Sequence, residues 1–353
     1  MTIEVDACSQ LGVRNSQPEG IGRVASFGNL VAWNNLGRNI VFADQQLRPM
    51  AVFSGTRFWD QDELSQYDLD IHAVLAVPDC DLVLALNHLG IVRMFRRSDL
   101  TGLGQYHEVH PVVTAFVPAD MERTAVAGSR LIGSRPRSEG GIGLVVSQPV
   151  EAAVDDRPLG TDVVGEDLGE VTALGSLADS DTPLVVVGGP GKVALVPLTR
   201  TTIGVPRWQV DLSFRAAVVE WDGRLVWVAG PATTSVVDDY DWDLLHGGGF
   251  VGLDPGDGTI VTAGSLPEDV AWGTGGVAVV RGGAALCAVG RAGAVHVLDP
   301  KTFSSWRSTA GLSRGSLGIA HAAVAGNRIL YGFNRGGYRL WASPITSPSA
   351  APA

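Results

Sequence analysis

Lysine is nearly missing from this chain of 353 residues: Lys192 and Lys301 are the only two. Arginine supplies the rest of the positive charge, and codon usage in a GC-rich genome accounts for that without any special role for arginine. Lys and Arg together number 26 against 37 Asp and Glu, a formal net charge of −11. With no basic patch to offset that charge, a nucleic-acid backbone is excluded as the main partner. Cysteine is scarce too. Cys8, Cys80 and Cys287 are odd in number and far apart, which argues against a disulfide framework and fits a reducing compartment. No apolar run approaches the ~18 residues of a membrane span. The opening MTIEVDACSQLGVRN has acidic residues where a signal peptide needs an apolar segment. A soluble, cytoplasmic protein with no membrane partner is expected.

Cofactor fingerprints are also lacking. No nucleotide or flavin motif occurs, and GGPGKVAL (188–195) has neither the P-loop spacing nor its Ser/Thr after the lysine. GLSRG (311–315) matches the G-x-S-x-G pattern, and HGGG (246–249) lies upstream of it like an esterase oxyanion loop. A nucleophile elbow needs a helix after the serine and an acid further downstream. Here no helical pattern follows Ser313, and no Asp or Glu occurs after it. Both motifs read as glycine turns.

What the chain does contain is glycine, 45 residues of it, with 19 proline, 45% hydrophobic residues and only 18% charged ones. That mixture suits many short buried strands joined by tight turns rather than disorder. A glycine opens an apolar run at Gly37, Gly90, Gly143, Gly191, Gly249, Gly293 and Gly337, at intervals of 44 to 58 residues. Before most of these lies another apolar run, such as DLVLAL, TAVAG or RLVWVAG. Upstream of that comes a third, such as IHAVLAV, and a fourth often follows. Four short strands per unit with no helical periodicity between them describe the blades of a propeller. The last unit ends at YRLWASP without a fourth strand, and Thr2–Ala7 stands alone before the first unit. An N-terminal strand completing the final blade would remove its open edge. The expected fold class is therefore all-β: a seven-bladed propeller of four-stranded antiparallel blades, closed by the N-terminal strand. Residues 1–346 would form one domain and 347–353 a disordered tail.

The pattern resembles the WD40/YVTN-type propeller superfamily over essentially the whole chain, most closely in IHAVLAVPDCDLVLALNHLGIVRMF (71–95). No unit ends in Trp-Asp, and the nearest approach is Trp341-Ala342. The resemblance implies the architecture only, because this fold hosts many unrelated functions.

Repeat position translates into ring position. Aligned first strands put Arg23, His72, His110, Thr172, Arg215 and His321 at one equivalent position, with Glu268 or Asp269 for the sixth unit. His72, His110 and His321 are then candidates for acid/base groups, or alternatively ligands for a divalent metal, the candidate cofactor. Arg23 and Arg215 would orient a carboxylate or phosphate. The alternative for the histidines is a hydrogen bond to a neighbouring turn, as in many WD repeats.

Two insertions emerge between second and third strands. One is the arginine-rich 129–141 stretch. The other, 233–249, packs Asp238, Asp239, Asp241 and Asp243 around Tyr240 and Trp242. Tyr240, Asp241, Trp242 and Asp243 are candidate ligand contacts on a flap over the channel mouth, the alternative being a solvated hairpin. The expected function is binding of a small anionic molecule there, with lyase, isomerase or hydrolase chemistry. The alternative is a protein-interaction scaffold whose partner docks on the face carrying those two insertions.

Overall fold

In the computed structural model, the residues described are 3–5, 21–27, 30–35, 39–54, 71–77, 80–87, 89–101, 107–118, 121, 123–136, 142–164, 169–177, 184–198, 202–232, 247–270, 272, 277–280, 285–290, 293–299, 301–308, 319–333 and 340–345. Their strands form a β-propeller of small antiparallel sheets, lettered A to G here in chain order of their inner strands.

Sheet A holds Ile21–Phe27, Leu30–Asn35, Asn39–Asp44 and Pro49–Ser54. Sheet B holds Ile71–Val77, Leu82–Asn87, Ile91–Arg96 and Val113–Phe116. Sheet C holds Thr124–Ala127, Arg130–Pro136, Ile142–Pro149 and Thr161–Val164. Sheet D has Ala173–Leu177, Leu184–Pro197 and Trp208–Arg215. Sheet E has Val218–Trp221, Val226–Gly230, Gly249–Leu253 and Ile260–Ser265. Sheet F has Val277–Val280, Ala285–Val289, Val295–Leu298 and Trp306–Ser308. Sheet G has Ile319–Ala325, Arg328–Phe333 and Leu340–Pro344, with Ile3–Val5 paired antiparallel to the last of these.

Six of these sheets are blades of four or five strands, and sheet D has three. The expectation of seven four-stranded blades is corrected: six sheets are full blades, sheet D is not, and two of the six carry a fifth strand. In sheet D, Leu184–Pro197 runs as one strand of 14 residues through the places of the second and third strands. It passes from pairing with Ala173–Leu177 to pairing with Trp208–Arg215 between Gly188 and Pro190, and the second pairing shifts register between Pro190 and Lys192, where Gly191 has φ 68°. Sheets A and B each gain a short fifth strand in parallel, His107–Glu108 and Arg157–Pro158. Both come from chain that crosses the outer edge of the preceding blade.

Burial follows position in the blade. The middle strands are apolar on both faces and fully buried, as in Val226–Gly230, whereas the outer strand Ile260–Ser265 is almost wholly exposed. This is why the sequence shows continuous apolar runs rather than alternation. The core is correspondingly divided into clusters between successive sheets. Phe42 and Phe53 of sheet A meet Phe95 of sheet B at ring-centroid distances of 5.5 and 5.4 Å. Trp227 of sheet E meets Phe303 of the sheet F outer hairpin at 5.7 Å. Each such aromatic contributes about 1.5–3 kcal/mol by burial. Val31, Trp33 and Val41 of sheet A pack with Ala323 and Leu330 of sheet G, joining the first sheet to the last. The inner strands likewise touch in succession from A to G, and Ile319–Ala325 touches Ile21–Phe27.

Sheet C corrects the alignment of the third repeat. TAVA is its inner strand, not its second, and RLIGSRP is the second strand rather than part of a loop. Two arginines make RLIGSRP look like surface, yet Leu131 and Ile132 are fully buried and the Arg130 guanidinium donates to the Ser147 carbonyl at 2.7 Å. Of the expected basic insertion, residues 137–141 lie outside the described residues, as do the tail 347–353 and 233–246. No helix among the described residues is long and apolar enough to cross a membrane.

Candidate functional site

Three antiparallel steps carry each regular blade from its inner strand outward, so the end where inner strands begin also receives the turns between second and third strands. We call this end the front face. Near it, three consecutive inner strands lose register at the same place. The break falls between Ile319 and His321 in sheet G, Ile21 and Val24 in sheet A, and Ile71 and Ala73 in sheet B. In each case the inner strand carries one residue more than its partner, the signature of a β-bulge, a device found at barrel rims and beside active sites. His321, Arg23 and His72 lie in or at the edge of these breaks. The sequence alignment of these three residues thus corresponds to one backbone feature repeated on neighbouring strands.

His110 does not belong with them. It is exposed on the connection leading into Val113–Phe116, the fourth strand of sheet B, which starts at the opposite end of the blade. The misplacement follows from the shifted third repeat, and a three-histidine set loses this member. The front-face position of sheet C is taken by Arg123, which the sequence reading missed. Its backbone N–H donates to Ser134 Oγ at 3.0 Å, and Ser134 N–H returns a bond to its carbonyl at 2.8 Å. Reading ERTAVAG as an inner strand would have found it.

Thr172 and Arg215 sit at the front face and have structural partners. Thr172 is buried; its hydroxyl donates to the Ala216 carbonyl, joining sheets D and E, and its N–H donates to Gly188 O at 2.8 Å. Arg215 is the last residue of the outer strand of sheet D rather than part of the next inner strand. Its guanidinium forms an ion pair with Glu170, just ahead of the inner strand of sheet D. Glu170 was not singled out from sequence.

The acidic, aromatic stretch 233–246 carries Tyr240, Asp241, Trp242 and Asp243 and lies outside the described residues. The residues that flank it, 230–232 and 247–249, stand at the front face. Gly230 pairs with Gly249 across the ladder of sheet E. A Cβ on Gly230 would fall 1.5 Å from the Arg215 carbonyl oxygen, and one on Gly248, with φ 120°, 2.1 Å from the Gly230 oxygen. Gly247 O accepts from the Trp272 indole, and Gly248 O accepts from Leu266 N–H at 3.0 Å. Gly248 is therefore required by backbone-to-backbone approach, Gly249 by the Phe214 ring 2.5 Å from where a Cβ would fall and Gly247 by its φ of 58°, and none of them needs an oxyanion role.

Sheet F holds a cluster that the sequence reading passed over. His296 is buried on the third strand. Its Nδ1 lies 2.7 Å from Ser308 Oγ on the outer strand, and its Nε2 lies 2.9 Å from Asp269 Oδ1. Among the described residues no group of three or more His, Cys, Asp or Glu is placed to hold a metal ion. A polar cleft of ≈ 390 Å³, lined by Gln45, Gln46, Gly326, Asn327 and Arg328, lies between sheets A and G at the end opposite the front face.

The sequence matches no known protein family, and no curated protein is significantly similar to it.

Proposed function

We propose that the chain is a closed propeller of seven repeat units, with sheet D as an irregular fourth unit, which binds a small anionic molecule at its front face. The succession of touching inner strands and the pairing of Ile3–Val5 with Leu340–Pro344 support the closed ring. One observation carries the binding reading. Front-face positions on four consecutive sheets, G, A, B and C, hold His321, Arg23, His72 and Arg123. Across the ring, Arg215 is ion-paired with Glu170, and Asp269 faces His296. The basic residues thus occupy strand ends on one side of the propeller, and Glu170 and Asp269 with their partners lie on the other.

Two arginines and two histidines at neighbouring strand ends suit a carboxylate or phosphate, because arginine offers planar paired donors. The stretch between Gly230 and Gly249, which pair at the front-face end of sheet E, supplies Tyr240, Asp241, Trp242 and Asp243 as the remaining candidate ligand contacts. The chemistry is binding first; the two histidines provide acid/base capacity if the ligand is a substrate. Thermal denaturation with inorganic phosphate and with di- and tricarboxylates tests the reading. A ligand that binds only the folded chain raises Tm with concentration. An unchanged Tm across the panel leaves the protein-interaction scaffold as the better account.

A further inference from the structure

The cluster in sheet F has the parts of an activated hydroxyl. From Asp269, Nε2 of His296 is 2.9 Å distant, and from Nδ1 of His296, Ser308 Oγ is 2.7 Å distant. The three arrive by separate routes. Asp269 lies on the connection between sheets E and F, fixed by the bridge between Val270 and Gly290. His296 and Ser308 face each other as a register pair on adjacent strands. The imidazole side chain is only 8% exposed, whereas the Asp269 side chain is 47% exposed and Ser308 lies open to solvent.

We propose that Ser308 is a nucleophile activated by His296 and Asp269, and that this site transfers acyl groups from small esters. A carboxylate beside Nε2 favours the tautomer with its proton on Nε2, which leaves the Nδ1 lone pair to accept the Ser308 proton. The carboxylate lies off the direction of the N–H although it is close to the nitrogen. Its role is accordingly electrostatic, stabilising the imidazolium, and such contacts tighten when substrate binds.

Ser308 Oγ forms a bond to the ester carbonyl carbon as its proton passes to Nδ1. The carbon–alkoxide bond breaks, and the alkoxide takes that proton. Water then attacks the acyl-serine, giving a proton to Nδ1. The carbon–Oγ bond breaks, the proton returns to Oγ, and a carboxylic acid leaves. The roles come from geometry, and chain order is irrelevant to them. Gly247, at the return of the 233–246 loop, faces the Glu268 backbone, the residue before Asp269.

The test is covalent labelling of the full chain by an alkyl fluorophosphonate, whose P–F bond Ser308 would break with loss of fluoride. Peptide mapping should place the adduct on Ser308. S308A should abolish labelling, His296→Gln should slow it by about 100-fold or more, the usual weight of a positioned general base, and Asp269→Asn should slow it by a smaller factor. S308A and Asp269→Asn alter exposed or half-exposed side chains, so they remain informative if His296→Gln misfolds. Hydrolysis of p-nitrophenyl acetate should fall in parallel. Labelling that maps elsewhere, that fails to exceed the rate of the denatured chain, or that persists unchanged in Asp269→Asn would overturn the proposal. None of these outcomes depends on whether the front-face basic residues bind an anion.

Discussion

Gly290 stands so close to Asp269 that a Cβ there would lie 2.1 Å from Oδ2 of the carboxylate and 3.0 Å from His296 Nε2. The absence of a side chain at Gly290 is what lets the carboxylate reach the imidazole. Gly290→Ala should therefore push Asp269, a half-exposed and movable side chain, away from His296. We expect a loss of stability below about 1 kcal/mol, since the displaced group can turn to solvent. Labelling by the fluorophosphonate should slow as in Asp269→Asn. Chemical denaturation together with labelling rates separates this result from general unfolding.

Asp222 makes a different kind of contribution. Its Oδ1 accepts from Arg224 N–H and Leu225 N–H, both at 2.7 Å, and its Oδ2 accepts from the Trp227 indole at 2.8 Å. Asp222 and Trp227 are both buried. Asp222→Ala leaves three donors without this acceptor, at a cost of about 2–4 kcal/mol. Urea denaturation should show a lower midpoint with the slope unchanged.

Removing residues 1–8 exposes the edge of Leu340–Pro344, to which Ile3, Glu4 and Val5 are paired. Several kcal/mol of stability should be lost, on the order of a large single-site effect, and the open edge should promote association. A truncated chain that melts like the full one would contradict closure by this strand.

The 231–248 connection should divide sharply between base and tip. Gly230→Ala brings a Cβ to 1.5 Å from the Arg215 carbonyl oxygen. Backbone cannot yield there as a side chain can, so Tm should fall steeply. Replacing Asp241, Trp242 and Asp243 together by alanine should leave Tm nearly unchanged and weaken ligand binding. The opposite pattern would make the tip a structural brace.

Cys287 provides a pH-dependent readout. Burial pushes its thiol from 9.0 up to about 12. The folded chain therefore holds a proton that the unfolded chain releases above pH 9. This contribution to stability is fully present below pH 9 and is lost as pH rises from 9 to 12. The thiol should resist alkylation in the folded protein and react once urea unfolds it.

How much of this was legible in the sequence depends on where polar residues sit. The middle strands, buried on both faces, read as plain apolar runs such as DLVLAL and RLVWVAG, and these gave the propeller and its spacing. Arg23, His72 and His321 were placed correctly on inner strands because their neighbours are equally apolar. Sheet C failed because RLIGSRP hides a buried strand behind two arginines, and that displaced His110 from the rim and concealed Arg123. The Asp269–His296–Ser308 cluster was illegible for another reason. It depends on which residues face each other across two strands and on a glycine that leaves room, and neither leaves a mark at fixed sequence spacing.

The central claim is that basic groups on sheets G, A, B and C hold an anion. The direct measurement is isothermal titration of citrate, a tricarboxylate, into the full chain and into the doubly substituted R23A/R123A protein. Arg123 keeps its structural bonds through backbone atoms, so its side chain can be removed without loss of those contacts. Binding by the unmodified chain at one site, weakened about 10- to 100-fold or more in the double variant at unchanged Tm, is the result predicted from charge-assisted contacts. Superimposable isotherms for the two proteins would contradict it.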